Sequence, residues 1–234
     1  MDYNCQVPDS ARAKRPYNSQ RRLQQAGLTR RAIIDAARAL FIRHGYVATT
    51  MDMIAAEAGV ALKTVYSAFT TKGGLLRAVW DLSLKGDVDD APVAERPWYL
   101  EVLAEPDPER MLRLMAHHVR VVKSRIGPIL RVIRSAAVVD TDGAALWQLI
   151  NTDFHDNQRV IINALHAKGG MHPDLSADQA TDILWALNHP DVWLLLVGER
   201  GWSTERFESW FADTICQQLL APRRPSGSRV RQNG

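Results

Sequence analysis

GYVATTMDMIAAEAGVALKTVYSAFTTKGGLL, residues 45–76, holds short helical patterns separated by turn residues, and its reading decides the fold. Thr49 and Thr50 offer hydroxyls to cap a helix over Met51–Ala58, and Asp52 stands in its first turn, where a carboxylate meets the positive end of the helix dipole. Ile54, Ala55 and Ala58 give that helix an inward face. Gly59 permits a tight turn, Val60 fills the angle behind it, and a third helix is expected over Leu62–Phe69. A fourth begins near Lys72 and runs to about Lys85, with Leu75, Leu76, Val79, Trp80 and Leu82 apolar. A short helix, a glycine turn and a second short helix describe a helix-turn-helix.

Upstream, Ile33, Ala36, Ala37, Leu40 and Phe41 recur at the spacing of an amphipathic helix. It spans about 29–44 and stops at Gly45, which tolerates the left-handed conformation of a helix end. Residues 1–27 are polar, carry Pro8 and Pro16 and read as a disordered basic arm. Downstream, Pro92, Pro97 and Pro106 break up 86–106. Asp107-Pro108-Glu109 opens a helix to about Arg125, and Gly127-Pro128 opens another to about Val139. Asp142 starts a long helix to about Lys168. Ser176 with Gln179 makes a capping box for 177–199, which Pro190 interrupts, and a last helix covers about 204–220. Strand alternation and hairpin signals are absent. The fold class is therefore all-α. A helix-turn-helix domain at 28–73 is joined by the fourth helix to a larger helical bundle at 74–221, and 222–234 is a disordered basic tail.

Charge separates the same regions. Residues 1–80 hold 12 Lys and Arg against 5 Asp and Glu, 81–221 hold 13 against 21, and the tail adds four arginines and no acid. A basic first third on an acidic body implies a partner that is polyanionic at one end only. Hydrophobic residues at 46% over 234 positions are enough for a packed core. No apolar run approaches the roughly 18 residues of a membrane span, and the N-terminus lacks the apolar stretch of a secretory signal. Cys5 and Cys216 form neither a metal spacing nor a disulfide framework, so a reduced cytoplasmic setting is expected. Phosphate-binding loops, nucleophile elbows, zinc-protease and dinucleotide motifs are missing, which argues against an enzyme.

The second helix of a helix-turn-helix lies in the major groove, so its outer residues must suit base edges and phosphates. Here they are Lys63, Thr64, Tyr66 and Ser67, while Val65 and Phe69 face inward. With Gly45, Tyr46, Thr49, Thr50, Ile54, Ala55, Ala58, Gly59, Val60, Thr64, Val65, Tyr66, Phe69, Lys72, Leu75 and Leu76 in register, the stretch resembles the DNA-binding domain of the tetracycline-repressor (TetR) family of bacterial regulators. The resemblance covers about residues 28–85 and implies that Thr50, Tyr66 and Lys72 hold phosphates. Leu62, Lys63, Thr64 and Ser67 would then read bases. Two departures stand out. Ala61 replaces the usual hydroxyl cap, and Gly73-Gly74 weaken the start of the linking helix by roughly 1 kcal/mol per glycine.

In the body, the last helix carries Phe207, Trp210, Phe211, Ile215 and Leu219 on one stripe, and the helix before it, with Trp193, is apolar nearly all round. These residues are expected to form a four-helix homodimer interface, as the resemblance also implies. Trp147, Asn151, His155 and Gln158 fall near one face of the long helix and mix rings with hydrogen-bonding groups. With His117, Arg120 and Arg131 from neighbouring helices they are the expected walls of an effector pocket. Adjacent His117 and His118 point about 100° apart on a helix and make no metal site, and no cofactor is expected. The sequence thus reads as a homodimeric regulator, a repressor released from a palindromic double-stranded operator by a small molecule. The alternative is an architectural DNA binder without sequence preference.

Overall fold

A computed structural model describes residues 17–85 and 95–222. The arm at 1–16, the segment 86–94 and the tail from 223 lie outside the described residues. Among the described residues there are ten α-helices: α1 (Tyr17–Ala48), α2 (Met51–Glu57), α3 (Leu62–Ala68), α4 (Lys72–Lys85), α5 (Pro97–Ala104), α6 (Pro108–Ala136), α7 (Thr141–Ala167), α8 (Ala177–Leu187), α9 (Pro190–Trp193) and α10 (Thr204–Leu219). A π-helical turn, Leu194–Glu199, follows α9.

Local chemistry sets most boundaries. Thr50 caps α2, its hydroxyl oxygen accepting the Met53 amide at 3.2 Å. Asp107 and Asp140 cap α6 and α7, and the Ser176–Gln179 capping box closes the start of α8. Ala61 gives α3 no side-chain cap. Gly59, at φ +66, makes the turn between α2 and α3. Gly45, at φ +80, breaks the path of α1 and turns Tyr46 onto Phe41, ring centres 5.7 Å apart.

Three elements depart from the sequence reading. First, α1 begins at Tyr17 instead of near Thr29, so the latter part of the expected arm is helical. Positions 20–28 bury nothing, and the helix there rests on good helix formers in QRRLQQA. Second, Pro97 starts α5 instead of breaking a helix, because a first-turn proline has no amide to waste. Third, α6 passes straight through Gly127-Pro128. Pro128 forfeits the bond to the carbonyl four residues back, yet Ile126, Ile129, Leu130 and Ile133 are buried on both sides of it. Burial on either side outweighs one missing hydrogen bond.

Two hydrophobic cores result. The first joins α1–α4 to the second half of α6 and the first half of α7, through Ile129, Leu130, Ile133, Leu146 and Ile150. The second joins α5, the first half of α6 and the second half of α7 to α8–α10, through Met111, Leu112, Ile162, Phe207 and Phe211. The helix-turn-helix head therefore has no core of its own. Among the described residues no helix is long and apolar enough to cross a membrane.

A tight polar contact joins the start of α4 to the start of α7. Thr71 donates its hydroxyl to Asp142 Oδ2 at 2.8 Å, and the Gly74 amide donates back to Thr71 Oγ1 at 2.9 Å. A Cβ on Gly73 would lie 2.2 Å from Asp142 Cβ, so only glycine fits there. On Gly74 it would meet Thr71 Oγ1 at 3.2 Å. Gly73→Ala should accordingly destabilise the protein by about 1–3 kcal/mol in urea titration. Gly74→Ala, which gains helix propensity, should change stability far less. Equal effects of the two would remove the special role of the Gly73–Asp142 contact.

Candidate nucleic-acid interface and internal cavity

Val65 is fully buried and pins α3 to the first core, which leaves the opposite side of the helix in solvent. Lys63, Tyr66 and Ser67 are exposed, Leu62 and Thr64 half-buried, and Tyr66 keeps 50% of its surface accessible. Ser67 donates its hydroxyl to the Lys63 carbonyl at 2.8 Å, so its oxygen can still accept. Thr50 is exposed at the start of α2 and already engaged as its cap. Six of the seven positions singled out from the sequence thus keep accessible surface, Thr50 before α2 and the other five on α3.

Lys72 behaves differently. Its ammonium donates to the carbonyls of Tyr46 at 2.9 Å and Thr49 at 3.1 Å and lies 4.2 Å from the Tyr46 ring centre. Burial pushes its pKa down, against the pull of Asp140. In this structure Lys72 clamps the α1–α2 junction to α4. Sequence reasoning also missed Arg30. It donates to the Ala68 carbonyl at 2.8 Å and stacks 4.1 Å over the Phe69 ring, tying the end of α3 to α1 across 38 positions. No local pattern marks such a contact.

The body encloses a cavity of about 450 Å³ between α4, α5, α6 and α7. Trp80, Trp98, Tyr99 and Phe154 supply its aromatic wall. Lys123, Gln158 and Asn188 line it while almost fully buried, and Asp153 and Asp156 are exposed lining residues. Lys123 donates to the carbonyls of Asn188 at 2.6 Å and His189 at 3.3 Å. Desolvation pushes its pKa down to about 7. Burial likewise lowers the pKa of His118, another lining residue, with His117 adding to the effect.

Of the pocket residues expected from sequence, Gln158 lines this cavity and the others do not. Asn151 meets His189, Oδ1 to Nε2 at 2.7 Å, and Trp147 packs edge-on to the same imidazole. His155 pairs with Asp182 and packs on Trp185. His117 and Arg120 both bond to Glu208 of α10. Arg131 lines a second cavity, of about 540 Å³, between α1, α6 and the π turn. The long helix α7 does line the cavity, but through another face than the one expected. At about 100° per residue the cavity side of α7, around Ile150, Asn157 and Ile161, is rotated roughly a quarter turn from Trp147, Asn151 and His155.

The expected dimer stripe needs a similar correction. Phe207, Phe211, Ile215 and Leu219 are wholly buried, and Trp193 nearly so, in the chain's own second core. A side chain with no accessible surface cannot meet a second subunit. Trp210 alone of the six is half-exposed, 5.9 Å from Trp202 in an edge-to-face pair. The stripe points inward because the long α6 already offers α10 an apolar partner.

Lys123 gives this site a measurable signature. Between about pH 7 and the ordinary lysine range, the unfolded chain binds a proton that the folded one sheds, so stability rises with pH. The slope is bounded at about 1.4 kcal/mol per pH unit. Lys123→Met removes it. The stability of the native protein relative to that variant should climb between pH 7.5 and 9.5 in denaturant titrations, and a flat difference would mean that Lys123 is not desolvated.

Comparison with known proteins adds the family. Residues 33–79 match the family described as bacterial regulatory proteins, tetR family. The HTH-type transcriptional repressor ComR of Escherichia coli strain K12 is 44% identical over 52 residues, which is 22% of this chain and 25% of that protein. The match therefore spans a quarter of that relative's length. Solved structures resemble the chain over most of its length. A protein assigned to the TetR family from Mesorhizobium loti is 23% identical and covers 82% of this chain and 95% of its own, with a TM-score of 0.64. A Saccharomonospora viridis protein described as a transcriptional regulator and crystallised with choline is 18% identical (84% and 100% covered, TM-score 0.64). NalD of Pseudomonas aeruginosa, secondary repressor of the MexAB-OprM efflux pump, is 24% identical (83% and 98%, TM-score 0.60). At these identities the likeness is one of fold.

Proposed function

Because the chain belongs, through residues 33–79, to the tetR family of bacterial regulatory proteins, we propose that it is a cytoplasmic homodimeric repressor. On this reading it binds a palindromic operator and leaves it when a small molecule fills the body cavity. The observation that carries the reading is the shared first core. The exposed side of α3 and the walls of the cavity are attached to the same two helices, α6 and α7, so a guest that shifts those helices shifts the DNA-contacting surface. A structural relative that holds choline supports a small-molecule role for the helical body.

On this reading Lys63 donates to a guanine edge and Leu62 touches a thymine methyl, with Thr64 and Ser67 beside them. Thr50 and Tyr66 meet phosphates and set the register. Lys72 contributes the one N–H that its two carbonyl partners leave free. Two subunits would place their recognition helices in successive major grooves, about one helical turn apart.

Sequencing of fragments that the purified protein retains from sheared genomic DNA of its source tests this directly. One enriched palindrome is the expected result, whereas uniform, salt-sensitive retention would point to an architectural binder. Lys63→Ala should relax preference at one base pair per half-site, by about 1–3 kcal/mol of discrimination, and Tyr66→Phe should weaken binding to all sequences alike.

Oligomeric state is read by sedimentation. Trp210→Glu should give a folded monomer, because that ring is half-exposed. Phe211→Glu should unfold the chain, because that ring is wholly buried. A folded dimer of Trp210→Glu would move the interface off α10.

A further inference from the structure

The cavity holds a lysine that has no counter-ion. Among the described residues no carboxylate lies within ion-pair distance of Lys123 Nζ, and its two bonds go to backbone carbonyls. In its ammonium form two N–H groups are thereby used, Nζ lies 5.6 Å from the Phe207 ring centre, and one N–H has no oxygen partner. Two other buried polar atoms on residues that line the cavity lack hydrogen-bond partners, Gln158 Oε1 and Asn188 Oδ1, while His118 Nε2 has the Glu101 carboxylate 3.7 Å away. Buried polar groups left without partners cost stability, and here they belong to residues that line a volume large enough for a drug-sized molecule.

We propose that this cavity takes an amphipathic carboxylate, its anionic end on Lys123 and its planar or aliphatic body against Trp80, Trp98, Tyr99 and Phe154. The inference rests on the effector reading and names the chemical class. Gln158 and Asn188 can each turn their terminal amide to present either an N–H or an oxygen, and so can donate to carboxylate oxygens. Among the described residues the acids lining the cavity are Asp153 and Asp156, both exposed, and burial raises the Asp153 pKa against the pull of Arg77. Their charge is screened by water, whereas an ion pair on fully buried Lys123 acts in a low dielectric. An amine would find its attraction only at that exposed edge, and would gain no ion pair from Lys123 further in.

The charged groups around Lys123 leave this balance intact. His189 faces it from the start of α9, with Asp191 and Arg134 behind, and His118 lies on its own helix. Seating an anion there restores the lysine's ordinary affinity for protons. At pH 8, where most of Lys123 is neutral without a guest, binding draws a proton from the buffer.

Calorimetry on the full chain with 1-naphthylacetate, 1-naphthylacetamide and 1-naphthylmethylamine tests the inference. The acid should bind at least tenfold more tightly than the amide or the amine. Its heat at pH 8 should differ between phosphate and Tris in the sense of proton uptake, a readout that needs no variant. In Lys123→Met, checked for folding by circular dichroism, the acid should lose its advantage. The inference is overturned if amide or amine binds as tightly as the acid, if none of the three binds, or if folded Lys123→Met keeps the preference. DNA retention is scored separately. An acid that binds without releasing operator fragments would sink the effector reading and leave the pocket assignment standing. Operator selection without acid preference would do the reverse.

Discussion

Everything in this chain depends on two helices having no core of their own. The inner faces of α6 and α7 are divided lengthwise, one half packed against the head and the other against the body. A head of four helices built on 69 described residues, Tyr17–Lys85, is small for independent stability, and here it borrows Ile129, Leu130, Ile133 and Leu146 to complete its interior. The loan runs both ways, since Trp80 of α4 lines the cavity of the body. Neither part can change its packing without the other registering it, which is the physical requirement for coupling two sites.

The head was legible from the sequence because its signals are local. Thr50, Gly59 and the Val65–Tyr66 alternation of buried and exposed positions act within a few residues of where they stand, and the observed α2, α3 and α4 start where those residues say. The body was less legible because its decisions are made at a distance. Pro97 and Pro128 carry the same intrinsic bias, yet one begins a helix and the other sits inside one, and burial of Ile126 and Ile129 makes the difference. The stripe Phe207–Leu219 announces an apolar partner without saying whether that partner belongs to the same chain. Lys123 carries no sequence signal at all. A lysine on a helix normally faces water, and only the packing of α5, α7 and the α8–α9 junction around α6 shows that this one does not.

That lysine also explains why the cavity is better described by what it lacks than by what it contains. Its walls are apolar enough to be stable when filled, and two of its buried polar atoms, Gln158 Oε1 and Asn188 Oδ1, have no hydrogen-bond partner. Such a site is poorly satisfied alone, and the energy that a guest returns by completing it can be used to move helices. Lys72 shows the opposite economy. Two of its N–H groups are spent on the carbonyls of Tyr46 and Thr49, within the head itself.

The contact between Gly73 and Asp142 has an evolutionary side. The two positions share a single volume, with no gap for even a methyl group between the start of α4 and the first turn of α7. Sequence change at one is therefore conditional on change at the other. In homologous chains a larger residue at the first position should be accompanied by a smaller one at the second, or by a shifted turn between α6 and α7. Co-variation of that pair would sort relatives by the hinge they use, independently of how far their cavities have diverged.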